Sequence, residues 1–293
     1  MTFFLAATAG HDLQDAWTIA LAAQHVDDNP LTRPVNPSNV FTEIGSIRRN
    51  QRQLLNYHFV LSGEDGRTLP AYDNARLDPP DSPQLRNLLA AARSPLVSRN
   101  GQLVLFGEYL HSVADTYSHR DWFNRPYNAL ALDCGIGHGH HLHEPDMTYD
   151  ERLRLPSDPR FEGVRLRWRR EARTLRMEIA LYERLSAFGA AGGKATPLAE
   201  IEATLRRFNA TPENERTGFN QKIRILEDAL MRMGYGERLF TSEPAPESSN
   251  FRYDASQASR SRLQHLRSLD GSPLREEDFP GVCLPGGTSC APV

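Results

Sequence analysis

The sequence predicts an all-α chain, a multi-helix bundle, on three observations. Apolar residues recur at spacings of three and four through segment after segment as far as Met233. No stretch shows a convincing alternation of apolar and polar residues, and there is no internal repeat. Gly, Pro, Asn and Ser gather between the periodic segments, where breaks belong. The 293 residues, 39% hydrophobic and 24% charged, can bury a sizeable core. We read residues 1–240 as a helical domain and residues 241–293, rich in Ser, Pro, Gly and charge, as an extension, partly irregular, with a short helix around Ala255–Leu269.

Taken in order, residues 1–26 predict one or two helices broken at Gly10, with Asp12 capping the run Leu13–Val26. The opening Met1–Ala9 is apolar like part of a signal peptide but lacks a basic start, so it is read as the first helix. Export by another route, or as part of a longer polypeptide, stays open. The pattern stops at Asp27-Asp28-Asn29-Pro30, and Leu31–Asn39 reads as loop. Asp27 and Asp28 either belong to that turn or deliver a carboxylate from a helix end. Ile44–Leu61 is ambiguous, with helix preferred through Leu54 and Leu55. His58, between Tyr57 and Phe59, is either a packed core histidine or a ligand. After a turn-rich passage, Ser82 and Pro83 start a short helix to Arg93.

Gly101–Trp122 is the central helix, with Leu103, Phe106, Leu110, Val113 and Tyr117 on its apolar stripe. His111, Asp115 and His119 stand one turn apart on an adjoining stripe, three metal-competent side chains at the edge of a core. The alternative is a surface helix with His–Asp contacts at i, i+4. Imidazole with carboxylate suits zinc, and less uniquely manganese, iron or nickel. Glu108 lies one turn before His111, either orienting an imidazole N–H or facing solvent. A Gly-His segment follows, with His138, His140, His141 and His143 ahead of Asp146. Four such histidines cannot all serve one ion, and a mobile loop binding metal adventitiously is the rival reading.

Phe161–Phe188 is the longest predicted helix. Its arginines interleave with Glu162, Glu171 and Glu178, which reads as a solvated face with i, i+4 pairs, or less readily as a phosphate-facing patch. Pro197–Asn209 and Glu213–Met233 complete the set. The formal charge of −3 gives no global attraction to nucleic acid or anionic lipid. No apolar run approaches the ~20 residues needed to span a bilayer. Three cysteines make no disulfide framework, although Cys283 and Cys290 suffice to close a small loop, and Cys134, near the ligand cluster, reads as a semi-buried thiol or less readily as a thiolate ligand.

Together, Gln24-His25-Val26-Asp27-Asp28-Asn29, Tyr57-His58-Phe59, the HxxxDxxxH array and Gly-His…His-x-Pro-Asp resemble the zinc-dependent phospholipase C and single-strand-specific nuclease superfamily. The likeness is closest to a bacterial branch of it and covers nearly half the chain. It implies a helical bundle with a metal cluster in a cleft, holding two zinc ions and in family members a third. One zinc would take Asp27 or Asp28, His58, His111 and Asp115, with Asp115 bridging toward another. The second would take His119 with His138 or His143 and Asp146. The third is held in the family by an amino-terminal residue and an early helical His, for which His11 is a poor equivalent.

The implied activity is phosphodiester hydrolysis of phospholipase C type, a zinc-bound hydroxide attacking phosphorus with Asp27 or Asp28 orienting or deprotonating it. Tyr57, Tyr117, Trp122 and Phe123 would contact a choline head group or stack a nucleobase, unless they pack in the core. The alternatives are a nuclease acting on single-stranded nucleic acid and a non-catalytic, metal-stabilised module of a larger secreted or toxin-like protein.

Overall fold

The computed structural model describes residues 1–28, 57–58, 83–120, 147–154, 166–189, 193–213 and 216–235. Among them are seven helices: α1 (Thr2–Thr8), α2 (Leu13–Asp28), α3 (Pro83–Ala92), α4 (Arg99–Ser118), α5 (Glu171–Phe188), α6 (Leu198–Asn209) and α7 (Arg216–Arg232). One antiparallel pair, β1 (Tyr149–Arg154) and β2 (Leu166–Arg169), is the remaining regular structure, so the fold is all-α as expected. The chain divides into two compact units. One holds the described residues of Met1–Trp17 and His140–Arg252, the other those of Thr18–Gly139. The expected extension from residue 241, its helix at Ala255–Leu269, the loop at Leu31–Asn39 and all three cysteines lie outside the described residues.

In the first unit α1 is apolar all round, and Phe4, Leu5, Ala6 and Ala7 are buried with Leu185 of α5 and Ile201 and Leu205 of α6. Helix α1 ends where Gly10 takes φ +94°, a left-handed value that glycine adopts without strain. There the backbone passes so close to Gly193 that a Cβ on Gly193 would stand 2.2 Å from the Gly10 carbonyl oxygen. The Thr196 amide donates to the Thr8 carbonyl beside this crossing (2.8 Å). Asp12 caps α2 as predicted, its carboxylate accepting from the Asp15 amide at 2.7 Å.

Two expectations are corrected in this unit. The predicted helix Phe161–Phe188 begins only at Glu171, because Leu166–Arg169 is a strand. Leu-Arg-Trp-Arg alternates apolar and basic residues, a period of two over only four positions, too short to stand out beside the helical pattern that follows. Its partner β1 pairs Tyr149 with Arg169 and Arg154 with Leu166, with an irregularity between Asp150 and Leu153. The charged face of α5 is likewise not uniformly solvated, since Arg173 and Glu178 are buried.

The second unit turns on the crossing of α2 and α4. On α2, Ile19, Ala22, Ala23 and Val26 face inward at helical spacing. On α4, Leu103 through Leu110 are buried without interruption, so this helix is enclosed on nearly every side. Small residues let the two backbones meet: a Cβ at Gly107 would lie 2.4 Å from the Ile19 carbonyl oxygen and 2.7 Å from the Ala22 Cβ. Helix α4 starts earlier than predicted, at Arg99, capped by Ser98, whose hydroxyl accepts from the Gly101 amide. It also ends earlier, at Ser118, leaving His119 as its C-terminal cap.

Candidate metal centre

The close approach at Gly107 places the carboxyl end of α2 beside the next turn of α4. Ala23 and Asp27 are one turn apart on α2, and Gly107 and His111 one turn apart on α4, so the crossing that joins the first pair aligns the second. The His111 ring hydrogen-bonds the Ala23 backbone. With one nitrogen so held, Nε2 is turned toward Asp27 and Asp115. His58 enters from a separate segment, and its neighbour Tyr57 is packed in the core.

Four side chains meet there. Asp27 Oδ1 lies 3.8 Å from His58 Nδ1 and 3.7 Å from His111 Nε2. The two imidazole nitrogens are 3.2 Å apart, their rings edge to face at 89°. Asp115 Oδ2 lies 2.9 Å from His58 Nδ1 and 3.2 Å from His111 Nε2. Ligand atoms bound to zinc at ~2.1 Å in a tetrahedron stand roughly 3.4 Å from one another. The observed separations bracket that value, and ligand atoms of Asp27, His58 and His111 all fall within 4.8 Å of one another, a cluster able to hold a metal ion. At these distances burial of the charges opposes the attraction between them.

Electrostatics show the same competition. Burial pulls the His111 pKa down, but the charge and hydrogen bond of Asp115, with the charge of Asp27 and the Ala23 contact, raise it to about 9. Burial would push Asp115 up, yet His111 and His119 beside it and hydrogen bonds from His111 and His58 hold it well below the usual carboxylate range. Asp27 differs from the others in being 45% exposed, against 2% for His58 and 12% for His111. It is the side of the cluster that solvent reaches.

His119 joins at one remove. Its Nδ1 donates to the His58 carbonyl at 2.9 Å, which leaves Nε2 with the lone pair in the neutral ring, 3.8 Å from Asp115 Oδ2. Asp115 therefore stands between the His58–His111 pair and His119. Glu108, one turn before His111, is buried rather than solvent-facing, and burial raises its carboxyl to about 8 against the opposing charge of His111. His11, the weak candidate for a third metal, is a core histidine whose Nε2 donates to the Leu185 carbonyl at 3.0 Å. Tyr57 and Tyr117 are core residues too. Asp28 belongs to α2, but its side chain, with His138, His140, His141, His143, Asp146, Trp122 and Phe123, lies outside the described residues.

The sequence reading did not identify the Ala23 contact or the α2–α4 crossing that positions both helices. Their signal was the small-residue pair Ala22-Ala23 and a glycine inside an otherwise strongly helical run. Among the described residues no helix is long and apolar enough to cross a membrane. The model of the DUF6765 family, described as a family of unknown function, matches residues 1–165, more than half the chain. No curated protein and no solved structure matches it.

Proposed function

We propose that this chain, which belongs to the DUF6765 family, is a zinc-dependent phosphodiester hydrolase of phospholipase C type. The observation that carries the reading is the convergence of two imidazoles and two carboxylates at tetrahedral spacing, with one carboxylate open to solvent. Asp27, His58, His111 and Asp115 would hold one zinc. His119 would hold a second, with Asp115 between them and His138 or His143 and Asp146 completing the set by resemblance. Bound zinc supplies a water of lowered pKa and cancels charge on phosphoryl oxygens.

This chain's own residues do the rest. The bonds from His111 to the Ala23 backbone and from His119 to the His58 carbonyl fix ring orientation, so that the facing nitrogens need no reorganisation. Asp27, half-exposed at the rim, would hold the ion through one carboxylate oxygen and leave the other to orient the attacking water, which needs a position kept open on that solvent side. The packing of α2 on α4 around Gly107 keeps water from the inner side of the cluster.

The test is metal content together with turnover. Purified chain loaded with zinc is assayed for headgroup release from phospholipid vesicles and for degradation of single-stranded nucleic acid. Zinc binding with headgroup release and intact nucleic acid supports the proposal. The reverse pattern makes the protein a nuclease. Zinc that raises the melting temperature while both phosphodiesters survive makes it a metal-stabilised module.

A further inference from the structure

The first unit contains a second knot of buried polar groups, remote in chemistry from any metal site. Glu178 of α5 and Asn209 at the end of α6 are 0% and 1% exposed. Asn209 Nδ2 donates to Glu178 Oε2 at 2.6 Å. The other atom of each group, Glu178 Oε1 and Asn209 Oδ1, is buried with no hydrogen-bond partner among the described residues. Two orphaned acceptors on side chains that already touch are costly if Glu178 is ionised, since neither oxygen can donate to the other. One proton removes both faults at once: a carboxylic acid facing a carboxamide makes two parallel hydrogen bonds in a closed ring. Exchanging the amide oxygen and nitrogen of Asn209 leaves the count of protons unchanged.

We infer that Glu178 is held as a neutral acid and forms a two-point acid–amide clasp with Asn209, a pH-sensitive fastening between α5 and α6. Burial drives this by raising the Glu178 carboxyl to about 8, against the Asn209 bond and the charges that face it. Those charges are the amino group of Met1, from the α1 side, and Lys222 of α7. Both favour an ionised Glu178, but burial outweighs them. Burial lowers the pKa of the Met1 amine itself. Lys222 is committed elsewhere, its ammonium bonded to the Glu213 carboxylate and 4.6 Å from the centre of the Phe208 ring. Glu213 is tied in turn to the start of β1, through the Thr148 amide and the Tyr149 carbonyl, at 2.9 Å each.

The sign of the pH effect follows from the raised value. A carboxyl that binds its proton more tightly folded than unfolded stabilises the fold below about 4.5 and loses that contribution as pH rises through about 8. Glu178→Gln is the informative variant, because a glutamine amide forms the same two bonds with Asn209 and does not titrate. Melting temperature is followed from about pH 5 to about pH 9 for both proteins. The wild type should fall with pH relative to Glu178→Gln, the gap closing toward the acid end. Parallel profiles overturn the inference.

Infrared spectra give the second readout. The wild type at neutral pH should show a protonated-carboxyl band that Glu178→Gln lacks, and no difference between the two overturns the clasp. Should Glu178→Gln fail to fold, Glu108→Gln serves instead, because Glu108 is the other described carboxyl raised to about 8. A protonated-carboxyl band that survives in Glu108→Gln and disappears above about pH 8 supports Glu178 as its source. Its absence overturns the inference.

Discussion

The two units each bury a cluster of ionisable groups, and they neutralise it in opposite ways. Around Asp115, carboxylates and imidazoles converge with more lone pairs than protons to share, and Asp27 leaves one side open to water. Around Glu178 a single carboxyl meets a single amide, closed off from solvent, and one proton satisfies the pair. Burial of charge alone therefore does not mark a site. What distinguishes the first cluster is a surplus of donors at ligand spacing together with access from solvent. Where a proton suffices, the structure gains a fastening. Where it does not, there is room for a cation.

The sharpest way to break this contrast is Asp115→Asn. The carboxylate touches both imidazoles of the inner pair and approaches the third histidine, so its loss removes a ligand and the charge that holds His111 protonated. Breaking a buried charged pair costs about 3–5 kcal/mol, a loss of about two to nearly four orders of magnitude in zinc affinity if it falls wholly on the bound state. Isothermal titration with zinc measures it, and turnover should vanish with binding. An affinity within threefold of the wild type would remove Asp115 from the ligand set. Glu178→Gln should leave zinc affinity unchanged.

A second effect concerns the slope of stability with pH. His111 is raised above its ordinary value, so without metal its contribution is fully present below about 6.5 and is lost as pH rises through about 9. Zinc needs the neutral ring, and each ion bound displaces that proton. Affinity should therefore climb about tenfold per pH unit across the same window, until it levels above about 9. Melting curves should consequently fall with pH in the metal-free protein and fall less, or rise, at fixed free zinc. The Glu178 contribution should keep its downward slope in both. Zinc affinity flat between about pH 6.5 and about pH 8.5 would mean that His111 is not a ligand.

How much of this was legible in the sequence depends on the range of the interaction. The bundle, the Asp12 cap and the His111–Asp115 step are local, fixed by helical periodicity, and each was found where the spacing put it. His58 could not be assigned from its neighbourhood, because an isolated histidine between aromatic residues looks the same whether it packs or ligates. Only the fold brings it to Asp115. Asp27 and Asp28 were indistinguishable as a pair, although helical phase from Ala16 and Ala23 points Asp27 toward the buried stripe. Glu178 was hidden differently. Among alternating arginines and glutamates it reads as surface, and nothing short of its contact with Asn209, 31 positions away, reveals otherwise.

The gentlest perturbation acts on the scaffold and touches no ligand. Gly107→Ala adds one methyl group where α2 and α4 meet, and the nearest atoms are the Ile19 carbonyl oxygen at 2.4 Å and the Ala22 Cβ at 2.7 Å. The first belongs to helix backbone and the second is fixed directly to it, so neither yields as a flexible side chain would; the helices have to separate by several tenths of an ångström. Overpacking of this kind costs about 1–3 kcal/mol of stability. Because the same crossing sets the distance between Asp27 and His111, zinc affinity should weaken as well, by less than tenfold. Asp27 sits at a helix end and half in solvent, where it can follow the ion. Thermal denaturation and zinc titration of the one variant separate the two effects. Full destabilisation with unaltered zinc affinity would show that the site is assembled independently of the crossing, and the contrast between a built cage and a simple fastening would then need another basis.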